Sequence, residues 1–144
     1  MILKPYNAPK KEWCKRITPS KKYPRHWRTT VDIVIYLSDG HLLAKKAGTV
    51  WDDASIPKWA WWLFSPIDEG AIGDFIHDCL WVDKEEEFAR WDYNIYQARL
   101  YADTERNEWR KQLAPKRYIK NAVTHFVIRK IGGFFYSKQL QIPN

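Results

Sequence analysis

A chain of 144 residues and 17.3 kDa has room for one domain with its own core and rules out a multidomain machine. No uninterrupted apolar stretch approaches the roughly 20 residues that span a bilayer, and Met1-Ile2-Leu3-Lys4-Pro5 lacks the apolar run and cleavage site of a signal peptide. Cys14 and Cys79 are too few for a disulfide frame or a cysteine metal cluster, which predicts two reduced thiols. Nine Trp, eight Tyr and six Phe make aromatics the compositional outlier, and such side chains concentrate in cores and at contact surfaces.

The net charge of +7 is uneven. Residues 1–28 hold nine Lys or Arg against Glu12 alone, together with four prolines, which predicts an extended basic arm. Lys10, Lys11, Lys15, Arg16, Lys21 and Lys22, interleaved with Trp13 and Trp27, are its candidate partner-binding residues. They suit nucleic acid, an anionic lipid surface or the acidic face of a partner protein, or they serve only to solubilise. Next, β-branched residues over 31–37 and the apolar residues after Ser38-Asp39-Gly40 predict a β-hairpin. Pro57 and Pro66 then bracket the aromatic segment Trp59-Ala60-Trp61-Trp62-Leu63-Phe64, a core plug or the wall of a pocket.

Three helical segments follow. Over 68–82 the apolar residues Ala71, Ile72, Phe75, Ile76, Cys79 and Leu80 recur at helical spacing, while Asp74, His77, Asp78 and Trp81 share the adjoining strip. From Glu86 to about Ala102 the reading is one helix with Phe88, Trp91, Ile95 and Tyr96 on its core face and Asp92 amid them. A carboxylate on such a face demands a cation, a metal or a hydrogen-bond donor. The third helix starts after Pro115 and is predicted to stop at Gly132-Gly133, leaving 134–144 as a docked or extended tail. The architecture expected is therefore α+β: arm 1–28, a domain over 29–133 with a hairpin and about three helices, and the tail.

The chemistry-bearing residues are His77, Asp92 and Ser55, with Asp78 and Asp53 as metal ligands. An imidazole on one helix facing a carboxylate on the next has its tautomer fixed and its basicity raised. Asp78 is turned about 100° from His77 around the helix, free to hold a divalent cation such as calcium or zinc. The alternative is a structural pair, His77 with Asp92, that rivets two helices.

The runs Asp53-Ala54-Ser55-Ile56-Pro57, His77-Asp78-Cys79-Leu80-Trp81 and Arg90-Trp91-Asp92 resemble the domain-of-unknown-function family 1353, small proteins encoded mainly by bacteriophages and prophages. That family's pattern is Thr-Asp-x-Ala-Ser-Ile-Pro, His-Asp-x-Leu-Tyr and Ala-Asp. This sequence departs at Asp52, Trp81 and Trp91, and the likeness covers about residues 30–133. The resemblance implies a phage origin and carries no activity. A second, more local likeness is to phospholipases of the A2 type, in which a helix bears His-Asp-x-x-Tyr and a later helix supplies an acid. It implies His77 activating water, Asp92 orienting it and Asp78 holding calcium, although a Gly-rich calcium loop is missing and Trp81 stands where that family has Tyr.

These readings combine into an expectation: a virion-associated phage protein of tail, portal or capsid, bound to neighbouring structural proteins, carrying a His–Asp hydrolase site and located in the virion or the host cytoplasm. A phospholipase A2-like or cell-wall hydrolase acting during infection is the alternative. A nucleic-acid-binding protein acting through the basic arm is the third.

Overall fold

Ile33 and Ile35 alternate with Val34 and Tyr36, and this period-two pattern places both isoleucines in the core as strand β4 (Ile33–Tyr36). The chain reverses at Ser38-Asp39-Gly40, where Gly40 adopts a φ of +87° and the Asp39 carboxylate accepts the His41 amide N–H at 3.0 Å. β5 (Leu42–Lys45) returns antiparallel with Tyr36 opposite Leu42, so the predicted hairpin is present. The computed structural model describes residues 2–3, 6, 12–21, 26–52 and 68–140, apart from the side chains of residues 2–3, 84, 88 and 132–140.

The described strands form two three-stranded sheets. β1 (Ile2–Leu3) joins the hairpin in parallel with β4. β2 (Cys14–Arg16), β3 (His26–Thr29) and β6 (Val50–Asp52) make the second sheet, antiparallel throughout. Within the basic N-terminal stretch expected as an extended arm, the described Ile2–Leu3, Cys14–Arg16 and His26–Arg28 are thus paired into these two sheets. The cause is aromatic burial. Trp13 is 9% exposed and stacks on Trp51 at 5.5 Å between ring centroids, and Trp27 covers the same Trp51 at 6.4 Å. Phe75 meets Trp13 and Trp51 edge-on, tying this sheet to the first helix.

The α+β class holds, with four described helices: α1 (Ala71–Val82), α2 (Lys84–Arg90), α3 (Ile95–Leu113) and α4 (Tyr118–Leu140). The single helix expected from Glu86 to about Ala102 is broken. Asp92 and Tyr93 take φ values of +51° and +61°, and Asn94 begins α3 by accepting the Gln97 amide N–H at 3.0 Å. Arg90 anchors the break, since it pairs with Glu87 at 3.0 Å and Asp39 at 2.6 Å and lies over the Tyr101 ring. Ile95 and Tyr96, expected in the core, are exposed in consequence. At the other end, Pro115 opens a single 3-10 turn (Pro115–Arg117), and α4 runs on through Gly132 and Gly133, which do not stop it.

α1 is buried nearly all round, with its apolar face on the sheets and Asp74 and His77 turned to α3. Gly73 permits this approach: a Cβ there would lie 3.0 Å from the Arg106 carbonyl oxygen and 3.1 Å from Arg110 Cγ. Alanine improves helix propensity by about 1 kcal/mol, while overpacking costs about 1–3 kcal/mol, and here the nearest atom is unyielding backbone. Gly73→Ala is therefore expected to lower the melting temperature despite the better helix former. An unchanged or raised midpoint in a thermal melt would show that the two helices separate freely.

Candidate functional site

Asp74, His77, Asp78 and Trp81 recur at three- and four-residue spacing, so they line one flank of α1. On α3, Arg99, Asp103, Arg106 and Arg110 recur in the same way, a charged strip that the packing turns inward. The helices run antiparallel, since His77 meets Asp103 while Asp74 meets Arg106 and Arg110 further along.

His77 Nε2 lies 2.7 Å from Asp103 Oδ1, with the acid fully buried and the histidine 5% exposed. The other Asp103 oxygen accepts from Arg129 of α4 at 2.8 Å and faces Arg99 at 3.7 Å. Next to this pair, Asp74 accepts from Arg106 at 2.7 Å and from Arg110 at 2.9 Å. Arg110 also donates to Asp68 at 2.7 Å and Asn121 at 2.9 Å, and Arg106 to Thr124 at 3.2 Å. Burying guanidinium groups is tolerable only with carboxylates and hydrogen-bond acceptors in place, and α1, the turn before it and α4 supply them.

Burial pushes the Asp103 carboxyl up, but His77, Arg129 and Arg99 outweigh it and hold the group below the usual carboxylate range. Asp68 behaves likewise: burial raises it, and Arg110 and Lys120 bring it far down. With Asp103 ionised, the His77 proton resides on Nε2 and donates to it, which makes Nδ1 the basic nitrogen. The Trp81 ring covers the imidazole at 4.5 Å between centroids, narrowing the positions it can adopt.

The acid opposite His77 is therefore Asp103 and not Asp92. Asp92 is exposed in the turn between α2 and α3, displaced from any helix face by its left-handed backbone. Asp78 is half-buried and accepts the Asp52 amide N–H at 3.3 Å, tying α1 to β6. Ser55 and Asp53 lie outside the described residues, as do Lys10, Lys11 and Lys22. Lys15, Arg16 and Lys21 are exposed, whereas Trp13 and Trp27 turn their rings to Trp51 and are spent on packing. No three His, Cys, Asp or Glu side chains converge on a possible metal position among the described residues.

The missed residues left a signal. Ala102-Asp103 reproduces the Ala-Asp of the family pattern without the departure that Trp91-Asp92 requires. The charges along 103–110 disguised it, because a helix strip rich in Arg and Asp reads as solvated until a facing strip of opposite charge is known.

Two outcomes follow from this geometry. Asp103→Ala is expected to destabilise the fold by about 3–5 kcal/mol in urea unfolding, since it strands Arg129 and His77, while Asp92→Asn changes it by less than about 0.5 kcal/mol. Equal shifts would remove Asp103 from its place in the network. Because Asp68 has a lowered folded value, its contribution is present above the unfolded carboxylate range near ~3.9 and is lost as pH falls through the folded value. Asp68→Asn is accordingly expected to cost stability at pH 7 and to flatten the loss below about pH 4, read as melting temperature against pH.

The chain matches the family model described as "Protein of unknown function (DUF1353)" over residues 27–116, a span that takes in β3 to α3 and hence His77, Asp78 and Asp103. No curated protein and no solved structure matches it. With that match over more than half its length, the chain belongs to the DUF1353 family.

Proposed function

We propose that this protein is a hydrolase in which His77 is the general base, Asp103 is its orienting acid and water is the nucleophile. The observation that carries the reading is the 2.7 Å contact between His77 Nε2 and a fully buried, ionised Asp103. In the reaction, His77 Nδ1 takes a proton from water as the oxygen attacks an ester carbonyl. Asp103 stabilises the imidazolium so formed, and the proton passes to the departing alkoxide as the C–O bond breaks. A carboxylic ester is the substrate class favoured by the phospholipase A2-type likeness. Asp103 takes the part that the likeness had assigned to Asp92, from a later helix running antiparallel to the one bearing His77.

Of the two expected ligands of calcium or zinc, Asp78 lies among the described residues and Asp53 outside them, and no step here depends on a cation. A phage origin, which the sequence resemblance implies, would put the activity in a virion or an infected cell. The exposed Lys15, Arg16 and Lys21 support attachment to a neighbouring phage structural protein.

The test is turnover of short-chain fluorogenic esters, phospholipid vesicles and cell-wall fragments by the purified chain, with calcium, with zinc and with chelator. His77→Gln and Asp103→Asn are each expected to lower kcat on the accepted substrate by about 100- to 10,000-fold while circular dichroism shows both still folded. Turnover that survives both substitutions, or none on any substrate, would reduce His77 and Asp103 to a structural pair.

A further inference from the structure

The last thirty residues carry a second feature, independent of the dyad. Residues 115–144 contain six Lys or Arg and no Asp or Glu. Within them α4 turns Asn121, Thr124 and Ile128 inward, and all three are buried. At about 100° per residue, Tyr118, Ile119, Ala122, Val123 and Phe126 share the opposite side with Lys130. Tyr118, Ile119 and Phe126 are 70%, 65% and 61% exposed, far more than lone surface apolar residues need be. Cations flank the strip: Lys116 is exposed at its start, and Lys130 reaches over the Phe126 ring at 6.0 Å.

We propose that this strip of α4 is a docking surface for an anionic lipid bilayer, on which the helix lies in the plane of the interface. The occupant follows from charge and shape together. Exposed aliphatic and aromatic side chains enter the boundary between headgroups and acyl chains, while the exposed Lys116 and Lys130 meet the lipid phosphates; Arg117, Lys120 and Arg129 are held by Glu69, Asp68 and Asp103 and are not needed for the contact. Nucleic acid would engage the lysines but make no use of Ile119 and Val123. A second copy of the chain would bring two positive strips face to face. No described helix is long and apolar enough to cross a membrane, so the contact intended is surface lying.

The measurement is co-sedimentation of the full chain with vesicles of equal parts phosphatidylglycerol and phosphatidylcholine, against phosphatidylcholine alone. Binding is expected to be at least tenfold tighter to the anionic vesicles. It should fall at least tenfold in the double variant Ile119→Ser/Phe126→Ser and about fivefold for each of Lys116→Gln and Lys130→Gln. All four side chains are exposed, so melting temperatures should stay at the native value, and His77→Gln should bind vesicles as the native chain does. Equal affinity for neutral vesicles, or no binding, would overturn the proposal. So would binding that survives the α4 substitutions, which would place the contact in residues 1–28, or release by single-stranded DNA at equal charge concentration. An oligomer in light scattering that the double variant dissolves would assign the strip to a second copy.

Discussion

Two arginine side chains, Arg106 and Arg110, are almost wholly withdrawn from water between three helices, and the rest of the molecule is arranged around making that possible. An unpaired guanidinium in such a place would cost several kcal/mol. Asp68 and Asp74 supply the charge, and Asn121 and Thr124 accept one further N–H each, from Arg110 and Arg106. These partners come from the turn before α1, from α1 itself and from α4, so α1, α3 and α4 are held in one mutual arrangement around the two arginines. Replacing the set with apolar side chains would not obviously weaken the fold. What the charges secure is the register of the helices, which sets where His77 falls relative to Asp103.

That register gives the His77–Asp103 pair its precision. Asp103 is held from three sides, by His77, Arg99 and Arg129, so its carboxylate cannot follow the imidazole if the ring moves. Trp81 limits the ring from another direction. A base fixed in tautomer and orientation before substrate arrives is what general-base chemistry requires. Glu105, one helical strip away, turns to the hairpin instead. It accepts from the Ser38 backbone N–H at 2.8 Å and the Trp109 indole at 3.0 Å, and so moors α3 to the turn after β4.

Two groups of the described aromatic residues are put to contrasting uses. Trp13, Trp27, Trp51 and Phe75 form a nested cluster that fastens the second sheet to α1 and recruits the basic N-terminal stretch into the fold. On α4, Tyr118 and Phe126 remain outside, beside lysines. Composition alone could not separate these uses, because a tryptophan flanked by cations has the same local sequence whether it stacks on a partner or on another tryptophan of its own chain.

Local pattern was enough for the hairpin, whose alternation and Asp-Gly turn act over a few residues, and for α1, whose apolar period and His-Asp pair are both contained in one helix. It was enough for the α+β class and for the family motifs. It was not enough for the break at Asp92 and Tyr93, which depends on Arg90 reaching Asp39 of the hairpin, nor for the continuation of α4 through Gly132 and Gly133. Above all it could not name the partner of His77. Which carboxylate lies 2.7 Å from that ring is decided by helix register, and the register is set by ion pairs between residues more than thirty positions apart. Buried and solvated charges look alike along a chain. Only when the facing helix is in place does Asp103 become the acid of the pair and Asp92 a residue of a turn.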